Sequence, residues 1–560
     1  MRDLKKKLVA SLTASVLVLA SITGVSAQNS AKQADPAPQK IPVIADLNKN
    51  KLFDNLEELL VSAQPGDRIP VIVMFNQAFN DHSYADLETK IGAFAAKFKY
   101  DAAFHGFAAE LTKGQIDALQ KMPFVKQVEY DMPVEVTMNT AKTWFGSEKA
   151  STDFGLTGDR DGNPTSYSKN DVVVAIIDTG IDGAHADLDG GKIIGWKDLV
   201  NNQTTPYDDN GHGTHVGGIV AGTGEGNAAY KGVAPGAALV GIKVLDKRGS
   251  GSMSTVDAGI NWAIQNKDVY GIKVINLSLG TSGSSDGTDS TSTAVNTAFA
   301  NGILPVVAAG NSGPARYTIG SPGAATDALT VGAFADVGEN GFNVTDFSSR
   351  GPTKDNRIKP DIMAPGFNIT APKTNSTNLY ITYSGTSMAT PFTAGVAALM
   401  LDANYALTPA DLKTKITGTA QDWGPAGQDI DYGHGRLQAY EAIKSAGGFT
   451  GTGPVVPNHS FVSGTLTGGG TSKTYSHNVT SVDYPVATTL IIKNWTSGIF
   501  GGSPDFDLYV YNPSGTLVGQ AEGTKRQELV TFNPTVAGTY TIKVYSYSGS
   551  GDYLLDVSSK

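Results

Sequence analysis

Cysteine is absent from the 560 residues. Its absence excludes disulfides, thiolate zinc sites, iron–sulfur clusters and a cysteine nucleophile. It does not fix the compartment, because many exported bacterial proteins do without disulfides. Charge is scarce as well: 17% of residues are charged, and 43 basic against 53 acidic residues leave a net charge of −10. Beyond the first seven residues no block is basic enough to offer a face to nucleic acid, so no nucleic-acid partner is expected. After the first segment there is no uninterrupted apolar run of about 18 residues, the length a membrane span needs. What is present is 40% hydrophobic residues and 65 glycines, a globular and loop-rich composition rather than a disordered one. One hydrophobic core stops growing at about 250–300 residues, so the length predicts two or more domains.

The chain opens with basic M-R-D-L-K-K-K, runs apolar and small to about Val25, and reaches Val25-Ser26-Ala27. This is the pattern of a secretory signal, residues 1–27, cut after Ala27; an uncleaved anchor is the alternative. The mature protein is then expected outside the cell, secreted and free of the membrane. Residues 28–40, rich in Ala, Gln, Pro and Lys, read as a leader.

Three blocks follow. Arg68–Phe75 reads as a strand, Tyr84–Phe98 has helical periodicity, and Lys99–Leu111 alternates as strand–turn–strand. Thr112–Lys121 reads as a capped helix and Val125–Tyr130 as a last strand. The order β-α-β-β-α-β predicts a small ferredoxin-like α+β unit. From about residue 139 to 447 the strands are short and wholly apolar (Val172–Ile177, Ala238–Lys243, Val274–Leu279, Leu304–Ala308, Ala328–Val331), with helical patterns at 212–222, 252–267, 290–301 and 387–402. Apolar strands alternating with helices predict an α/β domain whose parallel sheet is covered on both faces. A Gly/Thr/Pro-rich linker, 448–460, leads to alternating stretches with turn signals in 461–560, which predict a small all-β sandwich.

Four segments carry candidate chemistry. V-V-V-A-I-I-D-T-G-I-D places Asp178 at the end of a buried strand, where the crevice of an open α/β sheet lies; alone, this Asp could equally be structural or a metal ligand. N-G-H-G-T-H-V-G-G starts a helix with His212 and puts His215 a turn later. That spacing also suggests metal, weakly, since no Glu stands between the two as in H-E-x-x-H. G-T-S-M-A-T-P puts Ser387 at a helix N-terminus, whose unpaired N–H groups favour developing negative charge; alone it could be a plain N-cap. L-P-V-V-A-A-G-N-S-G sets Asn311 just past a buried strand, with an amide able to face a carbonyl oxygen. Together they supply a nucleophile, a base, an orienter for the base and an oxyanion donor.

D-T-G-I-D, G-H-G-T-H-V and G-T-S-M-A-T-P, in this order, closely resemble the signatures of the subtilisin-like serine proteases over about 140–447. The resemblance implies a serine endopeptidase with Asp178, His212 and Ser387 as triad, Asn311 in the oxyanion hole and polypeptides as substrates. It implies that Gly249-Ser250-Gly251 and Ser278-Leu279-Gly280 pair with the substrate backbone. It also implies that Ala308-Ala309-Gly310 wall the first specificity pocket and that Gly320 floors it. With no carboxylate at the matching positions, broad specificity for large apolar residues before the cut is expected. Residues 68–135 resemble the family's propeptide, a chaperone and inhibitor, so residues 28–138 are expected to be removed by self-cleavage, with Met138 just before the cut. Residues 461–560 are similar to the pre-peptidase C-terminal domain, mainly through F-D-L-Y-V-Y-N-P-S-G. A monomer is expected, with no cofactor for catalysis.

Calcium enters as a structural expectation only. Ala221–Pro235 lacks the family's Asn-rich calcium loop, so Asp187 matches a ligand whose partners are missing. Asp505 and Asp507, two apart on a predicted strand, would share one face while Phe506 turns inward, and could hold a calcium ion. Two other classes stay open on the residues alone: a cell-surface scaffold and a metallopeptidase. Labelling by a serine-directed organofluorophosphate separates the first from a protease, and chelator-resistant activity dismisses the second.

Overall fold

A computed structural model describes residues 43–560 apart from 45, 47, 65, 79–80, 103, 132, 135–141, 337–340, 455–457 and 497–502. The expected signal segment and the cut after Met138 fall outside the described residues.

The first unit holds helices α1 (Asp54–Ser62), α2 (Asp81–Ile91) and α3 (Lys113–Gln120). Its strands are β1 (Arg68–Phe75), β2 (Ala96–Tyr100), β3 (Gly106–Thr112) and β4 (Val125–Tyr130). They form an antiparallel sheet in the order β2-β3-β1-β4, the ferredoxin-like arrangement read from the sequence. Thr112 and Gln115 close a capping box at the start of α3. The helix expected over 84–98 is shorter. It ends before Gly92, whose φ of +88° is left-handed, and Phe94 then leaves the helical path to stack on Phe107, 4.8 Å between centroids. α1 was not foreseen.

The second unit is an eight-stranded sheet of β5 (Val173–Asp178), β6 (Ile193–Asp198), β7 (Ala238–Lys243), β8 (Ile272–Leu277), β9 (Leu304–Ala308), β10 (Leu329–Ala335), β11 (Asn343–Val344) and β12 (Ile362–Pro365). The order is β11-β10-β9-β8-β5-β7-β6, with β12 beside β10, and every pairing except β10–β11 is parallel. Side chains alternate between two cores: Val174 and Ile176 of β5 join one, Val173, Ala175 and Ile177 the other. Apolar residues on both faces are what a sheet covered twice requires. The covering helices include α4 (Ser147–Phe154), α5 (His212–Ala221), α6 (Met253–Gln265), α7 (Ser290–Ala300), α8 (Thr386–Ala403), α9 (Pro409–Gly418) and α10 (Ala439–Gly447). α8 is buried along its length from Thr386 to Leu401, beneath the sheet's first face.

The third unit is a sandwich of two four-stranded antiparallel sheets. One is β13 (Asn458–Leu466), β20 (Gly551–Ser559), β15 (Val486–Ile492) and β18 (Gln527–Phe532). The other is β14 (Ser472–Val479), β19 (Gly538–Ser548), β16 (Asp505–Tyr511) and β17 (Leu517–Ala521). Its first strand starts at Asn458, inside the stretch expected to be linker. Phe506, Leu508, Val510, Ile542 and Val544 meet Leu490, Tyr553 and Leu555 in its core. Among the described residues no helix is long and apolar enough to cross a membrane.

Candidate active site

Asp178 ends β5 and Asn311 follows β9, at the carboxyl ends of the parallel strands, while His212 and Ser387 stand at helix starts. Asp178 is the last residue of β5 and fully buried. Its Oδ1 lies 2.6 Å from His212 Nδ1 and also accepts the Thr179 N–H at 2.7 Å. His212 opens α5 at 3% exposure, and its other ring nitrogen, Nε2, is buried without a hydrogen-bond partner. Gly213 is needed at this junction, because a Cβ there would sit 2.0 Å from the Gly180 carbonyl oxygen. Thr179 Oγ1 accepts the Gly213 N–H at 2.8 Å, and Asp208 accepts the N–H groups of Gly211 and Thr214, both at 2.9 Å. These contacts fix the helix start and with it the imidazole.

The H-x-x-H spacing does not form a chelate. His215 turns away, donates from Nε2 to the Ile381 carbonyl at 3.1 Å and packs on Tyr383. Burial, reinforced by nearby His212, pushes its pKa well below the ordinary imidazole value, so it is a neutral packing residue.

Ser387 is the second residue of α8, 2% exposed, where the helix's first N–H groups lack intrahelical partners. Asn311 follows β9, and its Oδ1 accepts both the N–H and the hydroxyl of Thr386 at 3.0 Å. With the carbonyl end so engaged, the NH₂ end of the amide is turned the other way.

Two of the expected substrate segments touch the start of α8. Ser278 Oγ donates to the Ser387 carbonyl at 2.7 Å, and Leu279 is buried beside Gly280. The Gly310 N–H donates to Thr386 Oγ1 at 3.2 Å, and the Ala309 N–H to Val331 O at 2.9 Å, next to Ala308. Ala309 packs with Ile319 and Ala324 in a small apolar cluster. Gly320 packs against backbone: a Cβ there would lie 2.2 Å from the Thr281 carbonyl oxygen, and Thr281 N–H donates to Ser321 O at 2.8 Å. Gly249 turns with a φ of +74°, after which Gly251 and Ser252 pair antiparallel with Val134 and Pro133, just past β4. The first unit's tail thus lies on Gly251–Ser252 as an extended peptide would.

Sequence reasoning missed the acids that seat the first unit. Glu129 takes the Ser290 N–H on both oxygens, 2.8 and 2.9 Å, at the start of α7. Asp131 Oδ1 takes the Ser254 N–H at 2.6 Å at the start of α6. A negative group at a helix N-terminus is stabilised by unpaired N–H groups and the helix dipole. Nothing local in K-Q-V-E-Y-D signals this, because the partners are more than 120 residues away. Lys243 was also missed; buried at the end of β7 beside Asp178, it donates to Thr179 O at 2.5 Å, Asp209 Oδ1 at 2.6 Å and Leu245 O at 2.8 Å.

The metal expectations fare differently. Asp187 Oδ1 accepts from Gly226 N–H at 3.0 Å and Tyr380 OH at 2.9 Å, while its Oδ2 is buried without a hydrogen-bond partner. Phe506 does turn into the core, but the strand slips register between Asp505 and Phe506, and Asp507 is 2% exposed while Asp505 is more open. The simple one-face alternation is therefore interrupted. Among the described residues, the acidic group close enough to hold a metal is Asp159, Asp161 and Asp171.

Comparison with known proteins follows the three units. A profile described as the subtilase family matches residues 169–435, one described as peptidase inhibitor I9 matches 75–137, and one described as the bacterial pre-peptidase C-terminal domain matches 474–546. The chain is similar to serine protease AprX of Bacillus subtilis, 41% identical over 303 residues, covering 50% of this chain and 68% of that protein. It is also similar to a thermostable alkaline protease of Halalkalibacterium halodurans, 37% identical over 345 residues (60% and 82% covered), and to subtilisin E of B. subtilis, 33% over 380 residues (67% and 90%). The chain belongs to the subtilase family: it is a subtilisin-like serine peptidase with an inhibitor-type propeptide and a C-terminal β domain.

Proposed function

We propose that the chain is a secreted endopeptidase acting through Ser387, His212 and Asp178. The observation that carries the reading is the buried Asp178–His212 contact of 2.6 Å, which leaves His212 Nε2 buried and unpartnered. In this reading Nε2 takes the Ser387 proton as Oγ attacks the peptide carbonyl, and returns it to the leaving amine. Asp178 holds the tautomer and stabilises the imidazolium. The negative oxygen is met by the Asn311 amide and the Ser387 N–H. Water then repeats the sequence on the acyl-enzyme. Ser387→Ala tests it: the variant should fold and remain unprocessed, with turnover down about 10⁶-fold, a magnitude measured on subtilisin.

Substrate backbone would pair with Gly249–Gly251 and Ser278–Gly280; the tail Pro133–Val134, paired with Gly251 and Ser252, supports the first of these. The apolar Ala309, Ile319 and Ala324 cluster favours large apolar side chains before the cut. Self-cleavage after Met138 would divide 28–138 from a catalytic domain of 139–447, followed by 448–460 and the β domain of 461–560; the product acts as a monomer. Calcium at Asp505 and Asp507 would be structural. Melting with millimolar calcium and with chelator tests it, an unchanged midpoint in both removing the site.

A further inference from the structure

We propose that the C-terminal β-sandwich is a permanent part of the active site, in which Arg526 acts through Asp431 and Pro314 to position the loop that carries Asn311. The inference rests on the reading of Asn311 as oxyanion donor.

The two units share one core. Ile491 and Leu554 of the sandwich belong to the same buried cluster as Phe334, Phe342 and Trp423 of the catalytic unit. The His459 ring lies on Trp423 at 3.9 Å, and His459 Nε2 is 2.5 Å from Asp556, which also accepts from Tyr432 OH at 2.9 Å. Ser558 Oγ donates to Phe342 O and Gln527 Nε2 to Val344 O, each at 2.9 Å. A domain merely tethered by a linker has a smaller, more polar contact.

At the centre of this contact Asp431, 2% exposed, receives three guanidinium bonds. Arg526 reaches it with both Nη atoms, 2.6 and 3.0 Å, and Arg350 with one, 3.0 Å. Both arginines are at most 1% exposed. Such a fork is directional as well as attractive, and a lysine cannot reproduce it. Arg350 in turn donates to Gln527 Oε1 at 2.6 Å, Ser348 O at 3.0 Å and Thr345 O at 2.9 Å.

The loop after β9 is laced to the segment that Arg350 anchors. Ser349 N–H donates to Gly310 O at 2.9 Å, Ser312 N–H to Ser349 Oγ at 3.1 Å, Gly313 N–H to Phe347 O at 2.9 Å and Thr318 N–H to Arg350 O at 3.0 Å. Arg526 also holds this loop directly: Nη1 donates to Pro314 O at 3.0 Å, three residues from Asn311. One residue of the sandwich therefore grips the oxyanion loop and, through Asp431 and Arg350, the backing it lies on. Loss of the sandwich would strip the apolar cover from Trp423, take the Arg526 fork from Asp431 and take Gln527 from Arg350, so the mature enzyme keeps it.

The test uses the full chain. Arg526→Lys keeps the charge and loses the fork. The expected result is a folded enzyme with kcat lower by about tenfold or more and KM changed less than about twofold, since a misplaced donor weakens the transition state rather than substrate binding. In an Asn311→Ala background the same substitution should cost nothing further, because the donor it positions is gone. A purely structural role would give additive losses. The intact mass of the purified, active, mature protein should include residues 461–560, a readout that needs no variant. An unchanged kcat in Arg526→Lys, additivity with Asn311→Ala, or an active mature form lacking the sandwich overturns the inference while leaving the catalytic reading intact. A wild-type chain that neither cleaves protein nor takes a fluorophosphonate label removes the catalytic reading and this inference with it.

Discussion

At the scale of single residues, the site depends on side chains held by backbone that few other residues could form. Asn311→Ala should lower kcat about 10²–10³-fold with little change in KM, the cost of one oxyanion donor measured on subtilisin, and steady-state kinetics on a peptide substrate checks it. Gly213→Ala is predicted to damage both fold and activity, because its Cβ would meet the Gly180 carbonyl oxygen at 2.0 Å and push α5 away from β5. Overpacking of this kind costs about 1–3 kcal/mol, visible as a lowered denaturant midpoint alongside a lower kcat. An unchanged midpoint would contradict the close approach. Asp178, His212, Ser387 and Asn311 could be singled out as candidates because each sits in a short motif whose chemistry is local. Thr386, Thr179, Asp208 and Lys243 were not, since their roles come from contacts made across the fold.

At the scale of elements, the wholly apolar central strands could be read directly, and the helices at 212, 253, 290 and 386 begin within about a residue of where their patterns start. Besides helices such as α1, several of the strands that escaped are edges. Ile193–Asp198 carries Trp, Lys and Asp on a half-buried outer strand, and Asn458–Leu466 and Leu517–Ala521 are polar outer strands of the sandwich. An edge strand packs one side only, so its sequence need not be apolar. The two helix N-termini seated on Glu129 and Asp131 give an element-scale prediction. Asp131→Asn should weaken propeptide inhibition about 2- to 30-fold, the worth of a charge at a helix start, measured as the inhibition constant of added propeptide. Burial, with Asp289 and Asp257 close by, pushes Glu129 well above the ordinary carboxylate value in the complex. The complex therefore binds a proton better than the separated propeptide, in which Glu129 is solvated. Inhibition should weaken as pH rises from the ordinary carboxylate value toward the raised one. An inhibition constant that falls with rising pH over that range would contradict the assignment.

At the scale of the whole molecule, the sequence announced three units but not their relation. A Gly/Pro-rich stretch reads as a flexible tether, whereas the residues that dock the sandwich, Arg526, Gln527, His459 and Asp556, are scattered and individually unremarkable in sequence. Burial alone would raise the pKa of Asp431, but Arg526 and Arg350 more than offset it and hold the carboxyl below its ordinary value. A depressed carboxylate stabilises above the unfolded value, and that contribution is lost as pH falls through the folded one. The docked state should hence persist down to about pH 4 and loosen below it. Fluorescence of Trp423, which is stacked on His459, would report the loosening. In Asp431→Asn the acid transition of that signal should shift or vanish.

In the proposed mechanism one buried serine, Ser387, activated by His212 and Asp178, performs the chemistry. Incubating the purified mature chain with a fluorophosphonate probe and mapping the adduct by peptide mass spectrometry tests it most directly. The expected result is one adduct per chain, on Ser387, formed in step with loss of peptidase activity, absent in Ser387→Ala and slowed by orders of magnitude in His212→Ala. An adduct on another residue, or a Ser387→Ala protein that is still labelled and still cleaves peptides, would contradict it.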